Sequence, residues 1–354
     1  MKFKFELSLG GLGRDISDDD WENTDKKIIE TWQELQRNYS TFERTYLGEE
    51  CEFAFDWTAP IGRLEQTYDI YSRLFDANGH VIESVMNEFG QRVVAPRVTA
   101  TVESRAFNEK SRGRASHLLA NALLDLFLAM NLSFPGCCDF YSVKLLDVSS
   151  SGESIDSELR HLSGHKFEVA LLLSIDGKFP DVEPIPVGDC INWIKNAGDT
   201  STTTAKSAPK KLLYALLHFG NAVSSESDVI WIFYILETVF DTRPGENFNA
   251  LHRRICRLLV LSDNQAGQFK KRLRRLYNLR SSLIHGGHEI LHPDHHSLLD
   301  SEIGQKQSKA REDLEFGVAL SIAVVREMVR NQFARLEFSE ELTGVTFSGA
   351  HVPS

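Results

Sequence analysis

Apolar and polar residues alternate in several stretches of the first half of the chain, and this period of two is typical of half-buried β-strands. The stretches that show it, or that are rich in strand-forming residues, are 2–9, 52–57, 67–75, 80–86, 92–107, 139–148 and 167–175. Pro96 predicts an edge strand or a bulge, because proline cannot donate a ladder hydrogen bond. The turn sequence DANG, in which Gly79 can adopt a positive φ, predicts a hairpin between residues 67–75 and 80–86.

Two segments of the same half have the spacing of an amphipathic helix instead. In residues 26–47 the apolar positions include Ile29 and Trp32, and residues 109–130 carry a stripe of leucines and alanines. The strands and helices together predict a mixed α/β domain over residues 1–200.

Helical periodicity dominates after residues 195–209, a small and polar stretch that ends in proline and is typical of a domain boundary. The helices predicted beyond it are 210–223, 227–240 with Ser227 or Asp228 as the cap, 248–261, 262–287 and 310–336. Residues 288–308 are polar and predict a loop. The expected fold class is therefore α+β, in which the N-terminal mixed domain is followed by an all-α helical bundle over residues 209–340.

Helix 262–287, with the sequence SDNQAGQFKKRLRRLYNLRSSLIHGG, has the most clearly marked ends in the chain. Ser262 and Gln265 have the S-x-x-Q spacing of a capping box. Gly286 and Gly287 are suited to the left-handed conformation that commonly closes a helix. The sequence therefore predicts that both ends of this helix are capped.

The charge distribution changes what the net charge implies. The chain has 354 residues, a length typical of two domains, and its net charge of −11 argues against binding to nucleic acid. Residues 251–285, however, have a local charge of +8, which leaves −19 for the rest of the chain. The basic residues there are Arg253, Arg254, Arg257, Lys270, Lys271, Arg272, Arg274, Arg275 and Arg280, opposed by Asp263. Such an island either binds a polyanion or is a solvated helix face that pairs with acids elsewhere in the fold.

The composition favours a reducing compartment. No stretch approaches the roughly 18 uninterrupted apolar residues of a membrane span, and the N-terminus lacks the apolar region of a secretory signal. The five cysteines are odd in number and include no CxxC pair. We therefore expect a cytoplasmic protein that does not associate with membranes.

Arg280 and His285 lie near the end of helix 262–287, with Arg280 on an apolar line that includes Tyr277 and Ile284. Five helical residues turn through about 500°, so the side chains of Arg280 and His285 point about 140° apart on a straight helix. Metal-independent RNA cleavage needs a base for the ribose 2′-OH, a cation for the phosphate and an acid for the leaving 5′-oxygen. Histidine can carry the proton in either direction and arginine can hold phosphate oxygens. One copy supplies half of the ideal set, and a two-fold dimer would supply all of it.

At YNLRSSLIHGG the chain resembles the HEPN superfamily, and specifically the ApeA-like HEPN proteins of prokaryotic defence. The resemblance covers residues 212–335 and includes the upstream helix WIFYILETVF with its Leu236–Glu237 pair. It implies a helical bundle that dimerises through the motif helices, and metal-independent endoribonuclease activity with Arg280 and His285 as the catalytic residues. In many such proteins a polar residue, usually asparagine or aspartate, follows the arginine, and here the residue is Ser281. Some relatives have a tyrosine that is modified with AMP where this chain has Gly287, so that mode of regulation is not expected.

These considerations predict the remaining parts of the site. Supporting roles are expected for Ser281, Glu237 and Tyr277, and RNA binding for the basic residues Lys270, Lys271, Arg274 and Arg275. The expected partners are RNA, a second copy of the chain and, at the N-terminal domain, a phage-derived trigger or regulatory partner. That domain would sense the trigger or restrain a toxin in a defence system of the abortive-infection type. No cofactor or metal is expected.

Several alternatives remain open on the sequence. Glu237 could orient Arg280 or His285, or it could pair with another arginine of the bundle. Arg280 could form a structural salt bridge while His285 only stabilises the helix end, which would leave a catalytically inactive HEPN module that binds RNA or protein. The histidines at positions 285, 288, 292, 295 and 296 could indicate zinc, but they fall in a predicted loop without cysteine, and a polar loop is the preferred interpretation.

Overall fold

A computed structural model describes the structure of most of the chain. The residues it describes are 1–9, 21–46, 48–74, 80, 82–85, 96–140, 144–147, 157–158, 162–175, 182–198, 200–220, 225–242, 248–287 and 301–338. The predicted hairpin turn at residues 76–79 and the histidine-bearing stretch 288–300 lie outside them.

An antiparallel sheet organises the N-terminal part. Its strands are β1 (Lys2–Ser8), β2 (Thr41–Tyr46), β3 (Glu49–Asp56), β4 (Arg97–Glu103), β5 (Lys144–Asp147) and β6 (Ser157–Glu158), in the spatial order β2-β3-β4-β1-β5-β6. The first four of these in space are the long strands, and all neighbours are antiparallel. Alternate residues of β1 and β4, such as Phe3, Phe5, Val98 and Ala100, are buried, which is the period of two predicted from the sequence.

Helices pack on this sheet and form the C-terminal part. They are α1 (Trp21–Tyr39), α2 (Thr58–Ser72), α3 (Arg112–Ser133), α4 (His165–Ile175), α5 (Val187–Ala197), α6 (Ala208–Phe219), α7 (Asp228–Phe240), α8 (Phe248–Leu258), α9 (Asp263–Ile284) and α10 (Ser301–Arg330). The predicted fold class, α+β with a helical C-terminal part, is confirmed. The positions of α3 and of α6 to α9 agree closely with those predicted.

Two stretches predicted as strands are helical in the structure. Residues 67–75 were predicted as a strand, but they belong largely to α2, and residues 167–175 belong to α4. In α4 the buried side chains Phe167, Ala170 and Leu171 have helical spacing, and the helix packs along α10. The prediction failed because a short apolar run fits both periods until its packing partner is known.

The other differences concern where elements end. Helix α1 stops at Tyr39, and the next residues form strand β2, whereas the sequence predicted one helix over 26–47. Strand β4 lies between β3 and β1 inside the sheet and not at an edge. Pro96 precedes the strand and needs to donate no hydrogen bond there, while its carbonyl accepts one from the Leu9 N–H at 3.1 Å. Helix α10 begins at Ser301, so part of the predicted loop 288–308 is helical.

Helix α3 lies at the centre of the buried core. A single hydrophobic cluster extends from the sheet through this helix to the C-terminal helices. Within the described residues, Glu109–Ser133 is the one helical segment whose length and composition would also allow it to cross a membrane, and 83% of its apolar window is buried inside the fold. The core helix of a globular protein passes the same test, so this feature reflects its central position.

The predicted boundary at residues 195–209 packs against α3. The Thr200 N–H donates to Oδ1 of Asp125 in α3 at 3.1 Å, and Gly198 ends α5 at a positive φ of 97°. The division into domains 1–200 and 209–340 stays a prediction, and the described residues on both sides of it share one core.

Arg326 of α10 connects the two parts of the fold through a buried guanidinium group. Its side chain is 2% exposed and donates hydrogen bonds to the carbonyls of Leu132 and Ser133, at the end of α3, and of Glu183. Burial lowers the pKa of Arg326 to about 10, so the group stays charged at neutral pH. A cation at a helix C-terminus is favourable because the last carbonyls have no partner within the helix.

Replacing Arg326 with methionine is expected to destabilise the fold by about 3 kcal/mol, because it leaves several buried carbonyls without a donor. Urea unfolding followed by tryptophan fluorescence measures the change. The matched control is Arg330→Met, one turn further along α10, where the exposed pair with Glu327 should contribute at most about 1 kcal/mol. Equal effects of the two substitutions would contradict the role given to Arg326.

Candidate active site

Both ends of α9 are capped as the sequence predicts. At the start, the Ser262 N–H donates to Oε1 of Gln265 at 3.0 Å and the Gln265 N–H donates back to Oγ of Ser262 at 3.5 Å. At the end, Gly286 has a φ of +71° and the Gly287 N–H donates to the Ser282 carbonyl at 2.8 Å. The helix is therefore closed on both sides, and His285 occupies its C-cap.

Arg280 joins α9 to α7 through a two-pronged contact with Glu237. Nη1 of Arg280 lies 3.0 Å from Oε1 of Glu237, and Nη2 donates to Oε2 at 3.3 Å. The guanidinium carbon lies 5.0 Å from the centre of the Phe233 ring. The two side chains are 26% and 38% exposed, so Glu237 holds the arginine while part of the guanidinium still faces solvent. The sequence left open whether Glu237 contacts Arg280, His285 or another arginine, and in the structure it contacts Arg280.

Tyr277 forms an aromatic wall next to this pair. Its ring makes edge contacts with Phe233 of α7 and Phe248 of α8, each with the ring centres 5.8 Å apart. Successive contacts, Phe233 with Tyr277 and then Glu237 with Arg280, advance along both helices together, so α7 and α9 run in the same direction. Tyr277 therefore fixes the distance between the helices from which Arg280 and Glu237 project.

His285 is exposed at the end of the same helix. Its N–H donates to the Ser281 carbonyl at 3.0 Å, which continues the helical pattern and gives Ser281 a backbone role in positioning it. Among the residues that the structure describes, the imidazole ring has no hydrogen-bond or ionic partner, and no contact joins it to Arg280. This agrees with the angular separation expected from five helical residues.

The four basic residues predicted to bind RNA fall into two groups. Lys270 and Lys271 are exposed and have no ionic partner in the described part of the chain. Arg274 is exposed as well, with its guanidinium carbon 3.6 Å from the centre of the Phe248 ring. Arg275 instead forms an ion pair with Asp313 of α10, in which Nη2 lies 2.7 Å from Oδ1 and Nε donates to both carboxylate oxygens at 2.9 Å.

Other members of the basic island have structural contacts too. Arg272 is half-buried, with its guanidinium carbon 4.0 Å from the centre of the Phe316 ring, and burial lowers its pKa. Arg254 donates to the Phe240 carbonyl at 2.9 Å. Part of the positive charge of the island is therefore engaged in contacts inside the bundle. Fewer of its cations are available to a ligand than the number of basic residues in the sequence suggests.

The exposed apolar residues of α7 near the Arg280–Glu237 pair were not singled out from the sequence, whereas Ile284 of α9 was placed there on one apolar line with Arg280. Ile230 and Tyr234 of α7 are 51% and 39% exposed, and Ile284 of α9 is 55% exposed. Ile230, Tyr234 and Glu237 have the spacing of one helix face. For α7 the signal was present in VIWIFYILETVF, which is apolar except at Glu237 and Thr238 and so leaves some apolar residues outside the core.

A metal centre finds no support in the described residues. They contain no group of three histidine, cysteine, aspartate or glutamate side chains that could hold a metal ion. The histidines at positions 288, 292, 295 and 296, considered above as zinc ligands, lie outside the described part of the chain.

A double-mutant cycle on Arg280→Ala and Glu237→Ala should give a coupling energy of about 0.5–1 kcal/mol, because both side chains are partly exposed and water screens their attraction. Chemical denaturation of the four proteins measures it. The exposed pair Arg311–Glu315 within α10 provides a control cycle, with about 0.3–0.5 kcal/mol expected. A coupling above about 3 kcal/mol would identify the Arg280–Glu237 pair as a buried structural ion pair instead.

No protein-family model, curated protein or solved structure matches this chain. The interpretation of the site therefore depends on its own residues: an arginine held by a glutamate between α7 and α9, an exposed histidine at the end of α9, and the motif YNLRSSLIHGG that contains both the arginine and the histidine.

Proposed function

We propose that this protein is a metal-independent endoribonuclease of the HEPN type, with a composite active site at a homodimer interface. One observation carries the proposal. Helix α9 ends on an exposed His285, little more than one turn after Arg280, whose guanidinium is held by Glu237 and is still partly open to solvent. A proton carrier and a phosphate-binding cation thus belong to the same end of one basic helix.

The chemistry assigned to these groups is a transfer within the RNA strand. One His285 takes the proton of a ribose 2′-OH, whose oxygen attacks the adjacent phosphorus atom. Arg280 stabilises the negative charge that develops on the phosphate oxygens, using guanidinium N–H groups that Glu237 does not engage. A second proton carrier protonates the 5′-oxygen as its bond to phosphorus breaks, which leaves a 2′,3′-cyclic phosphate and a 5′-hydroxyl.

The need for a second proton carrier is the reason for proposing a dimer. A second copy, related by a two-fold axis, would supply its own His285 and Arg280 to the same cleft. The exposed apolar residues Tyr234 and Ile284 lie about one turn from Glu237 and Arg280 along α7 and α9, and Ile230 lies one turn further along α7. All three would lose their contact with water in such an interface. These residues support the proposal that the copies meet through α7 and α9.

We further propose that the protein acts in the cytoplasm in antiviral defence, with the N-terminal part as the sensor of a phage-derived trigger or as the restraint on a toxin. This rests on the resemblance to ApeA-like HEPN proteins. In support, the hydrophobic core around α3 is continuous from the sheet to the motif helices.

A second candidate is a HEPN module that has lost catalysis and binds RNA or protein. The contact of both Glu237 oxygens with Arg280 favours this alternative, because a carboxylate that neutralises the arginine weakens its attraction for a phosphate. The two candidates differ in whether RNA is cleaved or only bound.

His285→Ala is expected to lower RNA cleavage by at least about 100-fold, because it removes the group that transfers the proton. The assay uses labelled single-stranded RNA with EDTA present, with thermal melting beside it to verify the fold. His117→Ala, which removes an exposed histidine of α3, is the matched control and should cleave like the wild type. Equal cleavage by the His285→Ala variant, or binding of RNA without cleavage by every form, would favour the second candidate.

A composite site also predicts that one inactive copy impairs its partner. A mixed dimer of wild type and His285→Ala retains a single proton carrier, so its activity should fall well below the half that two independent sites would leave. The two proteins, with different affinity tags, are unfolded together, refolded and purified through both tags before the assay. A verified mixed dimer with about half of the wild-type activity would argue against a shared site.

A further inference from the structure

One side of α9 is left open by its neighbours. The apolar residues Phe269, Leu273 and Leu276 face the bundle and are buried. Helix α10 lies against a second side of α9. There Asp313 forms an ion pair with Arg275, and the Phe316 ring lies against the Arg272 guanidinium. The remaining side carries the exposed residues Lys270, Lys271, Arg274, Asn278 and His285, and this set is called the open face below.

The open face is narrow and continuous. On a helix with about 100° per residue, its five side chains fall within an arc of about 100°, whereas Arg275 falls beyond that arc on the side of α10. Lys270 and His285 are fifteen positions apart in the sequence, which corresponds to about 22 Å along the helix. That length matches the shortest sites of single-strand binding proteins, about four nucleotides. The cations occupy the beginning of the face and the histidine its end.

Arg274 is held in position on this face. Its guanidinium stacks on the Phe248 ring at 3.6 Å, and stacking of this kind leaves the N–H edge able to form hydrogen bonds. An arginine ordered before binding loses less conformational entropy when it contacts a phosphate. Lys270 and Lys271, which have no ionic partner among the described residues, add two further positive charges in the preceding turn.

Asn278 lies between Arg274 and His285, one turn after the arginine. Its side chain is exposed and has no hydrogen-bond partner in the described part of the chain. A carboxamide is neutral and offers both donors and an acceptor, which is the combination that reads the edge of a nucleobase. Asn278 is the side-chain amide of this face, and an amide can distinguish one base from another through its donor and acceptor.

We propose that the open face is a track for single-stranded RNA, in which Lys270, Lys271 and Arg274 bind successive phosphates and Asn278 hydrogen-bonds to a base edge, so that the strand is led to His285. This rests on the proposed function, whose site it extends. Single-stranded RNA is the form that fits, because the bases of an A-form duplex are hidden in a deep and narrow major groove. Arg275 takes no part in the track, although the sequence predicted it to bind RNA.

The test measures binding in the His285→Ala background, so it does not depend on cleavage. Fluorescence anisotropy with an oligo-U RNA is recorded over a range of salt concentrations. The triple substitution of Lys270, Lys271 and Arg274 with alanine is called the track variant. It should reduce the slope of log K against log salt by about 2, since each phosphate contact to a single strand contributes about 0.7. The same relation corresponds to roughly 100-fold weaker binding at 0.1 M salt.

Two controls separate a local track from a general effect of charge. Arg275→Ala should leave the salt slope unchanged, because its guanidinium is used by Asp313. Alanine at Lys2, Lys4 and Lys195, three exposed lysines outside the basic island, removes the same net charge and should also leave the slope unchanged. If the controls lower the salt slope as much as the track variant does, the proposal is overturned.

Asn278→Ala tests the reading of bases. It should leave the salt slope unchanged, because a carboxamide carries no charge, and weaken binding about three- to tenfold for the preferred homopolymer among oligo-U, oligo-A and oligo-C. The differences in affinity among the three RNAs should shrink. Retention of the wild-type ranking and affinities by Asn278→Ala would overturn its assigned role.

The outcomes distinguish this proposal from the one on which it rests. If no form cleaves RNA but the track variant loses the salt slope, the track stands and the ribonuclease assignment fails. If cleavage occurs and the track variant binds as tightly as the wild type, the track fails alone. If the track variant changes the monomer–dimer equilibrium in analytical ultracentrifugation without changing the salt slope, the open face is a contact between copies and the track is overturned.

Discussion

The candidate site depends on a close crossing of three helices at Gly317. A Cβ atom at this position of α10 would lie 2.7 Å from Cδ1 of Ile232 in α7 and 2.8 Å from Cδ2 of Leu276 in α9. Glycine inside a helix costs about 1 kcal/mol relative to alanine, and here the close packing of the two other helices offsets that cost. The crossing fixes the register between α7 and α9. Because of that register, Glu237 is within reach of Arg280.

Burial assigns different roles to arginines that look alike in the sequence. Arg326 is almost fully buried and holds the carbonyls at the end of α3, so it serves the fold. Arg280 is partly exposed and paired, so it is positioned without being fully neutralised. Arg274 is exposed, and its contact among the described residues is with an aromatic ring, which leaves its charge available to a ligand. The environment of each guanidinium, and not its presence in a basic stretch, decides whether it can meet a phosphate.

The sequence predicted local features best where a residue type has a strong local preference. Ser262 and Gln265 cap α9 as expected, because the capping box uses only atoms within one turn. The stretch FEVALLLSI was predicted as a strand and is helix α4, because its short apolar run fits either period and only packing against α10 selects one. Likewise Arg275 resembles its neighbours in the sequence, and its partner Asp313 is thirty-eight residues away.

By itself the sequence determined the α+β class, the limits of the motif helix, and the presence of Arg280 and His285 near the end of that helix. These follow from periodicity and capping, which act over a few residues. Only the tertiary structure decided that Glu237 contacts Arg280, that Arg275 pairs with α10, and that one face of α9 is exposed. Those outcomes depend on contacts between residues far apart in the chain, and such contacts are fixed by how the helices pack.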